Sequence, residues 1–221
     1  MNDTPPFVIA NLKANKTWDQ VSTWLDVLGP KALSFPGTVL VCPSSPFLAA
    51  ASQKIKSANW LLALGSQDIS KFEQGAYTGE VAASQIADLC QYAIIGHSER
   101  RQNFAEGDKI LAQKVENANK ANLIPIFCVQ DSETPIPGGV TIVVYEPIFA
   151  IGTGNPDTPQ NAKAVSKKLK AKSKYTVLYG GSVTERNVKS FIEKDVIDGV
   201  LIGTASLDPH NFLKVIEDAK Y

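Results

Sequence analysis

The 221-residue sequence is poor in the residues that staple or metallate a fold: it has three cysteines, two histidines and one methionine. Cys42, Cys90 and Cys128 are odd in number, far apart and each set in an apolar run. They predict buried, reduced thiols in place of a disulfide framework or a zinc site, and no metal ligand set is expected. Net charge is also lacking, since 22 Lys and Arg balance 22 Asp and Glu. That balance argues against a basic nucleic-acid footprint. No apolar run approaches the ~20 residues that span a bilayer. Residues 1–6 show neither the basic nor the apolar part of a secretory signal. A cytoplasmic location with no membrane partner is the expectation, and the Asn15-Lys16-Thr17 sequon is read as chance.

What is present is ordinary for a globular chain: 44% hydrophobic and 20% charged residues. The length allows a substantial core without staples. Eight apolar, β-rich runs recur, at 7–11, 38–42, 60–64, 92–95, 123–129, 140–145, 175–179 and 199–202. Their continuity without alternation predicts strands covered on both faces, as in parallel sheets. Helical patterns lie between most of them. Trp18, Val21, Trp24, Leu25 and Leu28 share one face, as do Ile110, Leu111, Val115 and Ala118. Thr158-Pro159 and Asp208-Pro209 are N-cap and first-turn signatures for helices over 158–171 and to about 219. Asp19 and Thr184 fit early helix positions. Between 129 and 140, two prolines and two glycines leave room for a loop or a single turn only.

With no linker or composition shift, residues 1–221 read as one domain. Eight strand–helix units predict a compact α/β fold, a (β/α)8 barrel with the helix after strand five shortened or absent. The alternative, an open doubly wound sheet, wants a glycine fingerprint after strand one. The sole Gly-x-Gly, Gly152-Thr153-Gly154, follows strand six and lacks the third glycine.

In a barrel the chemistry sits at the C-terminal ends of the strands. Just past them stand Asn11 and Lys13, then His97, Ser98 and Glu99, then Glu146, then Gly180, Gly181 and Ser182, then Gly203 and Thr204. Glycine-rich turns after strands seven and eight let backbone N–H groups approach an anion, which implies a small phosphate ester. His97, Glu146 and Lys13 supply an acid/base pair and a cation. That set suits proton abstraction beside a carbonyl with stabilisation of the developing oxyanion.

At these positions the sequence resembles the triosephosphate isomerase family. The resemblance rests on Asn11-Leu12-Lys13-Ala14-Asn15, Gly75-Ala76-Tyr77-Thr78-Gly79-Glu80 and Ile94-Ile95-Gly96-His97-Ser98-Glu99-Arg100-Arg101. It continues in Tyr145-Glu146-Pro147-Ile148-Phe149-Ala150-Ile151-Gly152-Thr153-Gly154, Tyr179-Gly180-Gly181-Ser182-Val183 and Gly203-Thr204-Ala205-Ser206-Leu207. The segments fall in family order along the whole chain. The resemblance implies the family's known division of labour between a glutamate base and a neutral histidine electrophile. Glu146 would be the base and His97 the electrophile. Lys13 and Asn11 would orient and stabilise, and Glu99 would join the network beside Lys13. Gly152, Ser182, Gly203 and Thr204 would present N–H groups to the phosphate, alongside Asn11 and Lys13. Pro147, Ile148, Phe149, Ala150, Ile151, Gly152, Thr153 and Gly154 would form a lid that excludes water and protects the enediolate from losing phosphate. No metal or organic cofactor is implied. The long segment 67–80, with Thr78, Gly79 and Glu80, would enter a partner subunit. A homodimer follows, with a tetramer as the alternative if the missing fifth helix uncovers apolar barrel surface.

The chain departs from the family in places. Thr204 stands where a glycine is usual, and Phe149 where tryptophan is usual. Gln130-Asp131 replaces a usual glutamate, and Asn155-Pro156-Asp157 replaces a Lys-Thr-Ala hinge. Plainer readings exist for single residues. Glu146 alone suits a helix-start carboxylate, His97 a structural imidazole, and Lys13 a solvated surface charge. Ser182 also suits an N-cap. Arg100 and Arg101 fit ion pairs with Glu80 and Glu106, Trp18 and Trp24 fit helix–barrel packing, and His210 is read as structural. Among rival functions, Gly96-His97-Ser98-Glu99-Arg100 lacks the final glycine of a hydrolase elbow. A glycosidase pairing Glu99 with Glu146 lacks an aromatic sugar cleft. Another phosphate-binding barrel, or a degenerate barrel acting as a scaffold, would not need Lys13, His97 and Glu146 together.

Overall fold

Strand pairing is parallel throughout and closes on itself. A computed structural model describes residues 6–220, and the terminal residues of the expected 1–221 domain, with most of the segment 1–6, lie outside them. The strands are β1 (Phe7–Asn11), β2 (Thr38–Cys42), β3 (Ala63–Ser66), β4 (Tyr92–Ile95), β5 (Ile124–Val129), β6 (Ile142–Tyr145), β7 (Thr176–Tyr179) and β8 (Gly199–Ile202). They form a closed barrel in sequence order. The seam joins β1 to β8, with Phe7 opposite Gly199 and Ala10 opposite Ile202.

Side chains of a strand alternate between faces, and the barrel therefore has two apolar layers. Phe7, Ile9, Leu40, Cys42, Tyr92, Ile94, Ile126, Cys128, Ile142, Val144, Leu178 and Leu201 fill the interior. Val8, Ala10, Val41, Ile95, Phe127, Val143, Tyr145, Val177 and Tyr179 face outward against the helices. Both faces are buried, and this is why the runs read as continuous.

The helical shell is uneven. The long helices are α1 (Trp18–Ala32), α2 (Leu48–Ser57), α5 (Asp108–Lys120), α6 (Pro159–Lys172) and α8 (Pro209–Asp218). The short ones are α3 (Ala83–Ile86), α4 (Ser98–Asn103) and α7 (Val188–Phe191). The caps expected of α6 and α8 form: Thr158 accepts from the Asn161 N–H at 3.2 Å, and Asp208 accepts from those of His210 and Asn211 at 2.8 and 3.0 Å. Trp24 is buried on the Phe212 ring and donates from Nε1 to the Ser206 carbonyl at 2.8 Å. Thr184 opens a helical turn that leads into α7, its carbonyl accepting from the Asn187 and Val188 N–H groups.

Two expectations are corrected. The third strand is not 60–64 but β3, shifted toward the C-terminus. Asn59 turns the chain at a φ of 52°, Trp60 covers Gly29 of α1, and Leu61 is 57% exposed. Pairing begins only at Ala63, opposite Leu40. Second, Arg100 does not pair with Glu80. It bonds Glu106 and Asp68, each at 2.8 Å from Nε, and Glu80 accepts from the Ser70 hydroxyl instead. Arg101 reaches the carbonyls of Gly96 and Cys128, both at 2.9 Å, and Asp108 at 3.5 Å.

No helix stands between β5 and β6. Asp131 ties a single turn, accepting from the N–H groups of Glu133 and Thr134 at 2.8 and 2.7 Å. Lys172 of α6 reaches across to the Ser132 carbonyl. Ile136 packs on the outer apolar layer, covering barrel surface that a helix would otherwise cover. The three cysteines are buried thiols, with burial pushing Cys42 and Cys128 well above the ordinary thiol value. Among the described residues no helix is long and apolar enough to cross a membrane.

Candidate active site

The interior positions of the strands continue, two residues at a time, to their C-terminal ends and beyond. Phe7 and Ile9 lead to Asn11. Ile142 and Val144 lead to Glu146, Leu178 leads to Gly180, and Leu201 leads to Gly203. The same alternation that fills the barrel thus aims these residues into its C-terminal mouth. A pocket of about 690 Å³ opens there, lined by Lys13, His97 and Glu146 together with Ile151, Gly152, Thr153, Gly154, Gly180, Ser182, Gly203 and Thr204.

Lys13 is held in the left-handed region at a φ of 51°. Such a residue costs about 1–3 kcal/mol and persists only where its surroundings fix it. Here the Asn11 side chain accepts from the Lys13 N–H at 3.0 Å. The Lys13 carbonyl accepts from the Ser44 hydroxyl at 3.0 Å and the Gln67 amide at 2.9 Å. Its Nζ forms an ion pair with Glu99. A side chain on Gly203 would meet Lys13 Cε at 2.9 Å, so that glycine leaves room for the lysine.

His97 caps the N-terminus of α4, its Nδ1 accepting from the Glu99 N–H at 3.2 Å. A ring nitrogen that accepts carries no proton, so the imidazole hydrogen sits on Nε2. Nε2 lies 3.3 Å from Glu146 Oε1. Glu146 is buried; its Oε2 accepts from the Ser98 N–H at 2.9 Å, while Oε1 has no hydrogen bond. One oxygen is anchored and the other is left unsatisfied at the pocket. An added Cβ on Gly180 would stand 3.1 Å from Glu146 Cγ and 2.8 Å from Val144 Cγ1.

Beyond Glu146, Pro147 leads into a short turn, Ile148–Ala150. Ile148 and Phe149 are exposed. Gly152 and Gly154 take positive φ values of 70° and 77°. Ser182, itself left-handed at a φ of 50°, donates its hydroxyl to the Ala150 carbonyl.

The structure therefore brings Lys13, His97, Glu146, Gly152, Ser182, Gly203 and Thr204 to one cavity. Asn11 and Glu99 lie behind it, acting on Lys13 and His97, outside the lining. Of residues 147–154, only Ile151 to Gly154 line the wall. The sequence reading missed Arg186 and Asn211, which also line the cavity. Each stands on a segment following a glycine-rich turn, the one available signal. Thr78 and Gly79 lie exposed on the segment after β3, with Glu80 at its base. That base is closed by the Ser70 N–H bonded to the Val81 carbonyl at 2.8 Å, and Phe72 stacks on Tyr77 at 3.9 Å. No group of three or more His, Cys, Asp or Glu residues among those described is placed to hold a metal ion.

A family model described as triosephosphate isomerase matches residues 6–141 and 138–219. The two stretches meet at the connection between β5 and β6, where the helix is missing. A protein named triosephosphate isomerase from Alcanivorax borkumensis is 36% identical over 253 aligned residues, covering all of both chains. One of the same name from Hahella chejuensis is 35% identical, covering 96% of this chain and 97% of its own. One from Aquifex aeolicus is 31% identical, covering 95% and 97%. These alignments run longer than 221 residues, so the relatives carry segments with no counterpart here.

Proposed function

The chain belongs to the triosephosphate isomerase family, and from that premise we propose that it interconverts D-glyceraldehyde 3-phosphate and dihydroxyacetone phosphate through an enediolate, in glycolysis and gluconeogenesis. The observation that carries the reading is the convergence of three groups on one cavity: the free Oε1 of Glu146, the protonated Nε2 of His97 and the ammonium of Lys13.

Glu146 Oε1 takes a proton from one carbon of the triose and delivers a proton to the next, the carboxyl proton exchanging with solvent while the enediolate persists. Its second oxygen stays bonded to the Ser98 N–H, so the base turns about a fixed point. His97 donates from Nε2 to the carbonyl oxygen as negative charge develops there. Lys13 places a cation beside the same oxygen, with Asn11 and Glu99 fixing its backbone and ammonium. The phosphate lies against the N–H groups of Gly152, Ser182, Gly203 and Thr204, helped by Lys13 and Asn11. Thr204 contributes through its backbone, so its β-branched side chain does not oppose this. Residues 147–154 act as the lid. The chemistry moves protons only and calls on no cofactor.

A homodimer is part of the proposal, with 67–80 as the inserting segment and a cytoplasmic setting. Thr78, Gly79 and Glu80 would meet the second subunit. A fully active monomer by light scattering would defeat that part, and a tetramer would shift the interface to the β5–β6 side.

The test is a coupled assay of glyceraldehyde 3-phosphate conversion. Wild-type protein should turn over, and Glu146→Gln should lose most turnover while still binding a phosphate analogue. Comparable turnover in the variant would remove Glu146 from its role.

A further inference from the structure

We propose that the Arg186 side chain, aided by the side-chain amide of Asn211, binds the substrate phosphate from outside the main-chain cradle and sets the site's affinity for phosphorylated ligands. The inference rests on the reading of that cradle above and adds side-chain donors to it.

The charge balance of the cavity points to Arg186. Four formal charges line the wall: Lys13, Arg186, Glu146 and Glu185. Glu99 stands behind them, paired with the Lys13 ammonium. Two cations thus face three carboxylates, and without Arg186 a single cation would. A phosphate monoester brings a further charge of about −1.5 to −2 at neutral pH. Lys13 is held by Glu99 and serves the carbonyl oxygen. Arg186 is the lining cation left for the phosphate.

The local backbone ties Arg186 to the cradle. The Arg186 N–H donates to the Thr184 hydroxyl at 3.3 Å, and the Thr184 N–H donates to Asn187 Oδ1 at 2.8 Å. The Asn187 amide closes the turn, donating to the Ser182 carbonyl at 3.1 Å. One closed turn therefore carries both the Ser182 N–H and the Arg186 guanidinium. Asn211 is fixed in the same way, its N–H bonded to the Asp208 cap at 3.0 Å.

The side chains themselves are uncommitted. Arg186 is 90% exposed, and its one partner among the described residues is Glu185, with Nε 3.5 Å from Oε1. The two terminal nitrogens have no acceptor among those residues, and neither has the Asn211 amide. A guanidinium fork matches two phosphate oxygens at once. A solvated arginine that merely offsets Glu185 is the plainer reading. It predicts no change in phosphate affinity beyond the loss of one distant charge, and it assigns no part to the fork.

The phosphate is unchanged by the reaction, so a contact to it is made equally in the ground state and the transition state. Its loss therefore falls on KM. The experiment compares full-length wild type with Arg186→Ala, Arg186→Lys and Asn211→Ala, reading kcat and KM for glyceraldehyde 3-phosphate. It also reads the Kd of inorganic phosphate by titration calorimetry, at low and high sodium chloride. Arg186→Ala should raise KM and the phosphate Kd about threefold to fivefold at low salt, the scale of an exposed ion pair. Salt should shrink that difference. Arg186→Lys keeps the charge without the fork and should fall between the two, and Asn211→Ala should weaken phosphate binding by less than Arg186→Ala. An unchanged phosphate Kd in Arg186→Ala overturns the proposal, as does a loss carried by kcat alone. Full recovery in Arg186→Lys overturns the fork and leaves the plainer reading. Phosphate binding is read without turnover, which separates the two levels of the argument. A wild type that binds no phosphate defeats the cradle itself. A wild type that binds phosphate exactly as Arg186→Ala does defeats only the part given to Arg186.

Discussion

Gly180→Ala perturbs the site through a single methyl group. The added carbon would stand 2.8 Å from Val144 Cγ1 and 3.1 Å from Glu146 Cγ. The first contact is closer than real side chains approach, so Val144 or β7 must shift. Val144 is fully buried among interior residues of the barrel and cannot swing into solvent. Overpacking of this kind costs about 1–3 kcal/mol. The second contact falls on the carboxylate side chain itself. Moving a catalytic group by about 1 Å can cost on the order of 10²-fold in rate. Two measurements follow: urea denaturation for stability and coupled isomerase turnover for rate. Gly107→Ala is the control, since its added carbon meets nothing within 4 Å and its φ is −84°. The expectation is loss of both stability and kcat/KM in Gly180→Ala and neither in the control. Full stability with full turnover in Gly180→Ala would refute the packing argument and the placement of Glu146.

Three other predictions concern stability. Lys114 is buried and bonds Asp68 at 2.6 and 2.7 Å and Glu106 at 2.6 Å; Lys114→Met should cost about 3–5 kcal/mol by stranding buried charge. Burial already pushes Asp68 up to about 6 against the pull of Lys114 and Arg100, and the variant pushes it higher. A carboxyl raised in the fold stabilises below its unfolded value and loses that contribution as pH rises through the folded one. The Lys114→Met deficit in urea should therefore be larger at pH 8 than at pH 5. Asp208→Ala removes the cap of α8 and should lower Tm. The Asn211 and His210 N–H groups hold the Asp208 carboxyl below its ordinary 3.8, so the cap's contribution is complete above that value and fades as acid protonates it. Trp24→Phe deletes the bond to the Ser206 carbonyl, and leaving that buried acceptor unpaired should cost about 1–3 kcal/mol by thermal or urea denaturation.

The barrel was legible because parallel strands buried on both faces print continuous apolar runs. Seven of the eight fall on or within a residue or two of their expected places. β3 did not, because Gly65 and Ser66 are weak strand formers. Gly65 is there for space, since a Cβ would meet Cys42 Sγ at 2.9 Å, and the apolar run before it serves partly to cover α1. The reactive mouth was legible for the same reason as the barrel: a period of two ends β1 on Asn11 and carries Glu146, Gly180 and Gly203 past the ends of β6, β7 and β8. Arg186 and Asn211 were not, since one stands in a turn before α7 and the other in the first turn of α8, and neither continues the period of a strand. Asp157 stood out only as a departure at the hinge. Its bonds to the Tyr145 and Tyr179 hydroxyls depend on two strands lying side by side, which spacing along the chain does not encode.

Turnover of dihydroxyacetone phosphate in deuterium oxide tests the central claim most directly. If Glu146 carries the proton through an enediolate, the wild type should form glyceraldehyde 3-phosphate bearing deuterium at C2, and Glu146→Gln should form almost none. Product with no deuterium, or a Glu146→Gln variant that still exchanges and isomerises at the wild-type rate, would contradict it.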